Sequence, residues 1–147
     1  MVCLGNICRS PLAAGILKKR LSDIGSSSVV DSCGFEPYHA GDSVDTRSYD
    51  IALKHRIDLS GHTARLFKIE DFDIYDKIFV MDKNNYSDVA DMARTKKDLE
   101  KVDFIMNITV EKSNKDIPDP YYWEKDGFEK VYQMLDKACD GIIEKYE

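Results

Sequence analysis

The sequence predicts an α/β domain, a parallel sheet covered by helices on both faces. Three observations lead there. Apolar residues recur at helical spacing near both ends of the chain, two short apolar runs in the second half read as buried strands, and helices and strands alternate. The 147 residues suffice for one domain with a real core, spanning 1–147. In such folds a ligand sits at the carboxyl ends of the strands, beside helix N-termini.

The first helix is predicted over 10–24, with Leu12, Ala13, Ile16, Leu17, Leu21 and Ile24 on one stripe. Ser10 suits an N-cap and Pro11 the first helical position. SSVVDS (27–32) reads as a short strand, and GFEPYHAGDS (34–43) as a loop rich in turn residues. A second helix is predicted over about 45–57, with Ile51, Ala52 and Ile57 inward. DKIFVM (76–81) reads as a buried strand, NNYSDVADMAR (84–94) as a helix and VDFIMNI (102–108) as a last strand. NKDIPDPYYWEKDG (114–127) reads as a loop. The last helix carries Phe128, Val131, Tyr132, Leu135, Cys139, Ile142, Ile143 and Tyr146 on one face.

A net charge of −6 argues against a nucleic-acid partner, which needs a basic face. No apolar stretch approaches a membrane span, and the start carries no export pattern, so the chain reads as cytoplasmic and without a membrane partner. The four cysteines, Cys3, Cys8, Cys33 and Cys139, make no CxxC pair, which speaks against a structural zinc site or a disulfide framework. Cys33 and Cys139 read as small buried hydrophobes.

Cys3 and Cys8 sit in CLGNICRSP, a thiol and a loop leading straight into a helix. Gly5 and Asn6 tolerate positive φ, so Leu4 through Cys8 can curl with their amides converging on one point, an anion-binding nest. The helix start adds its positive dipole end, and Arg9 adds a planar, bidentate donor matched to phosphate. The donors that bind a tetrahedral oxyanion also stabilise a thiolate at the base of the cradle, and the Ser10 hydroxyl can serve the same sulfur. The pattern points to nucleophilic catalysis through a phospho-cysteine at Cys3. The alternative is a buried loop whose cysteines merely pack.

Breaking a phosphate ester with a poor leaving group needs a proton donor. PDPYY (118–122) offers Asp119, between two prolines and beside two aromatic rings, an apolar setting that would favour the protonated carboxyl. A plain surface turn is the other reading.

VCLGNICRSP together with DPYY resembles the low-molecular-weight protein tyrosine phosphatases, and GHTAR (61–65), DKIFVMDKNN (76–85) and the final helix resemble family segments in family order. The resemblance implies hydrolysis of phosphotyrosine without metal or organic cofactor. It implies Cys3 as nucleophile, Arg9 as phosphate-binding arginine and Asp119 as general acid and later base. It implies Leu4, Gly5, Asn6, Ile7, Cys8, Arg9 and Ser10 as the phosphate-gripping loop. Asn6, Ser10, Ser32 and His62 match a network that holds the loop, and Asp82 matches a supporting acid. Tyr121 and Tyr122 match one aromatic wall and Tyr38 the opposite one, a depth that suits phosphotyrosine and leaves phosphoserine too short. The implied partner is a tyrosine-phosphorylated protein, a tyrosine kinase being one candidate. Cys8 matches a second loop cysteine that traps an oxidised Cys3 as a reversible disulfide, which makes the enzyme redox-sensitive.

Relatives have a four-stranded parallel sheet whose first, central strand runs into the nucleophile, and here only Met1 and Val2 precede Cys3. The expected fold is therefore that four-stranded parallel sheet with helices on both faces and its central strand largely absent. Residues upstream of Met1 are expected in the natural protein, since a chain beginning at Met1 would leave SSVVDS and DKIFVM without their shared neighbour, at a cost in stability and activity. Two other functions are weighed. An arsenate reductase on the same fold would need relay cysteines, and none lies between Met81 and Asp119. An inactive phosphotyrosine-binding protein is at odds with an intact Cys3, Arg9 and Asp119.

Overall fold

The computed structural model describes residues 1–121 and 125–147. Among these, α1 spans Arg9–Asp23, α2 Thr46–Lys54, α3 Asp71–Ile74, β1 Ile78–Val80, α4 Lys83–Met92, α5 Lys96–Glu100, β2 Val102–Phe104 and α6 Lys125–Tyr146. Single 3₁₀ turns cover Pro37–His39 and Ile105–Ile108.

The chain is α/β, but the four-stranded sheet is not present among the described residues. β1 and β2 form a two-stranded parallel sheet with Ile78 opposite Val102 and Val80 opposite Phe104. Beyond it, the described residues form isolated parallel bridges, Val2 to Val80, Val2 to Cys33 and Gly34 to Leu66. The reason is the short run ahead of Cys3. Val2 donates to Phe79 O (2.8 Å) and accepts from Met81 N (3.1 Å), while Cys33 N donates to Met1 O (3.0 Å) and Cys3 N to Cys33 O (3.3 Å). Met1–Cys3 thus joins both neighbours at one end, and two or three residues cannot extend a ladder along the rest of either. Residues 27–32, predicted as a strand, consequently carry no strand pairing. A cavity of about 680 Å³ lies beside them, bounded by Met1, Val30, Phe79, Ile142 and Tyr146.

Alternation along β1 divides the core. Phe79 and Met81 face a cluster with Leu12, Ile16 and Leu17 of α1, Ile51 and Ala52 of α2, and Phe128, Val131, Leu135 and Ile142 of α6. Ile78 and Val80 face the opposite cluster, with Phe67, Phe72, Val89, Val102 and Phe104. A strand buried on both faces reads as a continuous apolar run, which is why DKIFVM was legible. α6 packs along α1, and Arg20 locks the pair by donating to Asp136 (2.7 Å) and Asp140 (2.6 Å).

Several boundaries shift. α2 stops at Lys54, and Ile57 is buried just beyond it. The apolar run 102–108 turns from strand to 3₁₀ after Phe104. α3 and α5, too short for a period to register, are absent from the sequence reading. α1 begins one residue early, with Cys8 rather than Ser10 at its N-cap position and no side chain capping it. No helix of the described residues is long and apolar enough to cross a membrane.

Candidate active site

The loop from Cys3 to Cys8 leaves the sheet at Val2 and enters α1 at Arg9, so both ends are anchored to the core. Of the two residues expected to tolerate positive φ, only Asn6 uses it, at 55°. Its main-chain N–H donates to Cys3 Sγ at 3.2 Å. Every polar group of its side chain is used as well. Nδ2 donates to Ser10 Oγ (2.8 Å) and Ser32 Oγ (2.9 Å), and Oδ1 accepts from Arg65 N (3.0 Å). The Asn6 carbonyl accepts from His62 Nε2 at 2.7 Å, which fixes the hydrogen on that nitrogen. A buried left-handed asparagine persists only where its surroundings over-determine it, and five bonds from four segments do so here.

Ser10 lies in the first turn of α1 with its Oγ 3.0 Å from Cys3 Sγ and 3.3 Å from Cys33 O. The hydroxyl has one hydrogen and two acceptors competing for it. With the sulfur protonated, S–H can donate to Oγ while the hydroxyl serves Cys33 O; with the sulfur ionised, the hydroxyl hydrogen turns to it. This hydroxyl is committed to the thiol, and the first amides of α1 are left without a side-chain cap, facing the loop.

Arg9 is buried, with 2% of its side chain exposed, and held from one side. Nη1 donates to Asp82 Oδ2 (2.7 Å) and Ile117 O (2.9 Å), and Nη2 to Asp119 Oδ2 (3.3 Å). Burial works against its charge, but Cys3, Asp119 and Asp82 outweigh it and raise its pKa further. Asp82 divides its oxygens: Oδ1 caps α4 by accepting from Asn85 N (2.8 Å), and Oδ2 takes Arg9.

Asp119 lies at the cavity beside Tyr121, one of the two rings expected next to it. Its side chain is 35% exposed, pairs with Arg9 and accepts from Tyr121 N at 3.1 Å. Cys3, Arg9, Asp119 and Tyr121 share a cavity of about 90 Å³ whose loop wall is Leu4, Gly5, Ile7 and Cys8. Glu36 and His39 complete the lining. The wall facing Tyr121 is therefore His39, with ring centroids 5.8 Å apart, and not Tyr38, which is 81% exposed and packs edge-on behind His39 at 5.0 Å. Tyr122 lies outside the described residues. Cys8 is buried, and burial, then the charges of Asp45 and Cys3, push its thiol well above the ordinary range. Cys33 and Cys139 are buried as well, each pushed up to about 12 by burial above all.

His62 has its pKa lowered, because burial outweighs the bond to Asn6 O that favours its charged form. The unfolded chain then takes a proton first. Stability from this group is complete above its ordinary value of about 6.5 and is lost as pH falls through the lower folded value. His62→Gln is expected to flatten the fall in Tm on the acid side of about pH 6.5; an unchanged slope would remove His62 from the account.

Sequence reasoning missed Gly34, Glu36, His39 and Arg65. A Cβ on Gly34 would stand 2.6 Å from Leu4 O and 3.0 Å from Asn6 N, so the loop requires a glycine beneath it. A glycine directly after a buried cysteine and before a turn-rich loop was the available signal.

An α/β domain whose first loop brings a thiol, an amide aimed at it and a buried guanidinium into one cavity has the build of a cysteine-dependent phosphatase. The chain belongs to the low molecular weight phosphotyrosine protein phosphatase family, whose profile matches residues 1–147. It is 37% identical over 145 residues to the low molecular weight protein-tyrosine-phosphatase PtpA of Staphylococcus haemolyticus (97% of this chain, 89% of that one). It is 35% identical over 147 residues to the human low molecular weight phosphotyrosine protein phosphatase (98% and 92%). A crystal structure of a protein tyrosine phosphatase from Entamoeba histolytica, with Hepes in its active site, superposes with a TM-score of 0.89 at 33% identity, covering 98% of this chain and 92% of that one.

Proposed function

We propose that this chain hydrolyses phosphotyrosine in proteins, with Cys3 as nucleophile and Asp119 as general acid and then base. The observation that carries the reading is the pair of groups addressing Cys3 Sγ, Asn6 N–H at 3.2 Å and Ser10 Oγ at 3.0 Å, in the cavity that Arg9 and Asp119 also line. The phosphate dianion enters the loop and competes with Asp119 for Arg9 Nη2, while Asp82 and Ile117 keep Nη1 in place. Cys3 Sγ attacks phosphorus, the bond to the tyrosine oxygen breaks, and Asp119 delivers a proton to that oxygen. Water then attacks the phospho-cysteine, Asp119 takes its proton, and the thiolate leaves to the Ser10 hydroxyl. Leu4 to Cys8 and the start of α1 supply the amides for the phosphate oxygens. Ser32 and His62 act through Asn6, and Asp82 acts through Arg9.

Asp119→Ala tests the assignment. It is expected to slow phenyl phosphate turnover about 10²–10⁴-fold and to slow p-nitrophenyl phosphate, whose leaving group needs little protonation, far less. Equal losses on both esters would sink the acid assignment.

The same proposal includes a cytoplasmic location, where Cys3 stays reduced, and a tyrosine-phosphorylated protein, a tyrosine kinase being one, as partner. It also includes redox control. Hydrogen peroxide oxidises Cys3 to the sulfenic acid and is itself reduced to water; the Cys8 thiol then forms the disulfide with loss of a second water. Cys8→Ser is expected to recover from peroxide with added thiol much less completely than the parent; equal recovery would refute the trap.

A further inference from the structure

GHTAR brings two residues to the loop, His62 and Arg65, and the proposed chemistry uses only the first. Arg65 N–H donates to Asn6 Oδ1 (3.0 Å), while Ser32 Oγ accepts from Asn6 Nδ2 (2.9 Å). Residues 31–32 and residue 65 therefore hold opposite ends of one amide. Their backbones meet further along, where Gly34 N donates to Arg65 O (2.9 Å) and Phe67 N to Gly34 O (2.8 Å) around the bridge of Gly34 to Leu66, while residues 31–32 carry no strand pairing. The Arg65 guanidinium adds a side-chain tie that reaches back to Asp31 itself. Nε donates to Asp31 Oδ2 (3.1 Å), and Nη1 and Nη2 form a fork on Asp71 Oδ2 and Oδ1 (2.9 and 3.1 Å). Both acids are themselves braced. Asp31 Oδ1 accepts from Ser32 N (2.8 Å), Asp31 Oδ2 from Tyr75 O–H (3.3 Å), and Asp71 Oδ2 from Lys68 N (2.9 Å).

We infer that Arg65 is a positioning residue for the phosphatase reaction. By tying Asp31 to the buried Asp71 it fixes the two segments that grip the Asn6 amide, and through Asn6 it fixes the N–H and the Ser10 hydroxyl that address Cys3. The inference rests on the reading of Cys3 as nucleophile. Arg9 is anchored by Asp82 and Ile117, which Arg65 does not touch. Loosening Arg65 therefore acts first on the attacking sulfur and leaves the Arg9 part of the grip on phosphate in place.

The experiment is a double-mutant cycle of Arg65→Met and Arg65→Lys against Asn6→Ala, read on p-nitrophenyl phosphate. Arg65→Met is expected to lower kcat by about 10- to 100-fold, the scale of a misplacement near 1 Å, with KM within about threefold of the parent. Arg65→Lys, keeping the charge but not the fork, should fall between. In the Asn6→Ala background neither change should lower kcat more than about twofold further, because the group it acts through is gone. The rate at which iodoacetate alkylates Cys3 should fall in parallel. A kcat within twofold of the parent, a loss confined to KM, or losses that multiply with Asn6→Ala would each overturn the inference. If Arg65→Met fails to fold by circular dichroism, Arg65→Lys is read in the same cycle. A parent that turns over no ester overturns the phosphatase reading, and the alkylation rates still decide the role of Arg65.

Discussion

Cys3→Ser is expected to reduce hydrolysis of aryl phosphates by at least about 10⁴-fold while leaving inorganic phosphate binding within a few-fold of the parent. The sulfur sits at the base of the cavity with only 2% of the residue exposed, and both groups that address it would stabilise negative charge. A serine hydroxyl stays protonated at neutral pH, and among the described residues no base is hydrogen-bonded at this position: the groups that address it are Asn6 N–H and Ser10 Oγ, His62 donates to Asn6 O, and Asp119 is engaged by Arg9 and Tyr121 N. The substitution preserves the fold, since Asn6 N–H and Ser10 Oγ are ready partners for a buried hydroxyl and no polar group is orphaned. Steady-state kinetics on p-nitrophenyl phosphate and calorimetric titration with phosphate check both halves. Residual turnover above about 1% of the parent would require another nucleophile.

Arg9→Lys carries the second large effect, about 10²–10³ in kcat/KM, the usual cost of losing an oxyanion donor. A guanidinium can bond Asp82 and Ile117 through Nη1 and still present Nη2 toward the phosphate site. An ammonium is a point charge on a flexible stem and cannot span those acceptors and a ligand with one rigid plane. Asp82→Asn should move activity the same way by a smaller factor, because it loosens the anchored side of the fork without removing the donor that faces the ligand. If Arg9→Lys kept more than about a tenth of the parent kcat/KM, charge alone would suffice and planar recognition would be disproved.

Much of the fold was legible because its signals are local. α6 declares itself by eight apolar residues at helical spacing, and β1 by an unbroken apolar run that two cores later bury. α3 and α5 did not register, because one turn of helix contains no period. SSVVDS has the composition of a strand and lacks a partner along its length; pairing belongs to two segments at once, and no single segment reveals it. Ser10 looked like a cap because serine beside proline ordinarily is one, and the thiol seven residues earlier claimed its hydroxyl instead. The resemblance places Tyr38 opposite Tyr121 and Tyr122, whereas the 3₁₀ turn at Pro37–His39 puts His39 in the cavity lining and leaves Tyr38 in solvent.

The sequence by itself determined the chemistry of the first ten residues: a thiol, a residue able to take positive φ, a guanidinium and a hydroxyl lie so close along the chain that one turn and the start of one helix bring them together. Only the tertiary structure decided what surrounds them. Ser32, His62, Arg65, Asp82 and Asp119 reach the loop from segments 22 to 116 positions further along the chain than Ser10 or Cys3, and they converge because β1, α1 and the bridges at Val2 and Gly34 bury their apolar neighbours in shared cores. Local spacing specifies what a short loop can hold, and long-range burial specifies what comes to meet it.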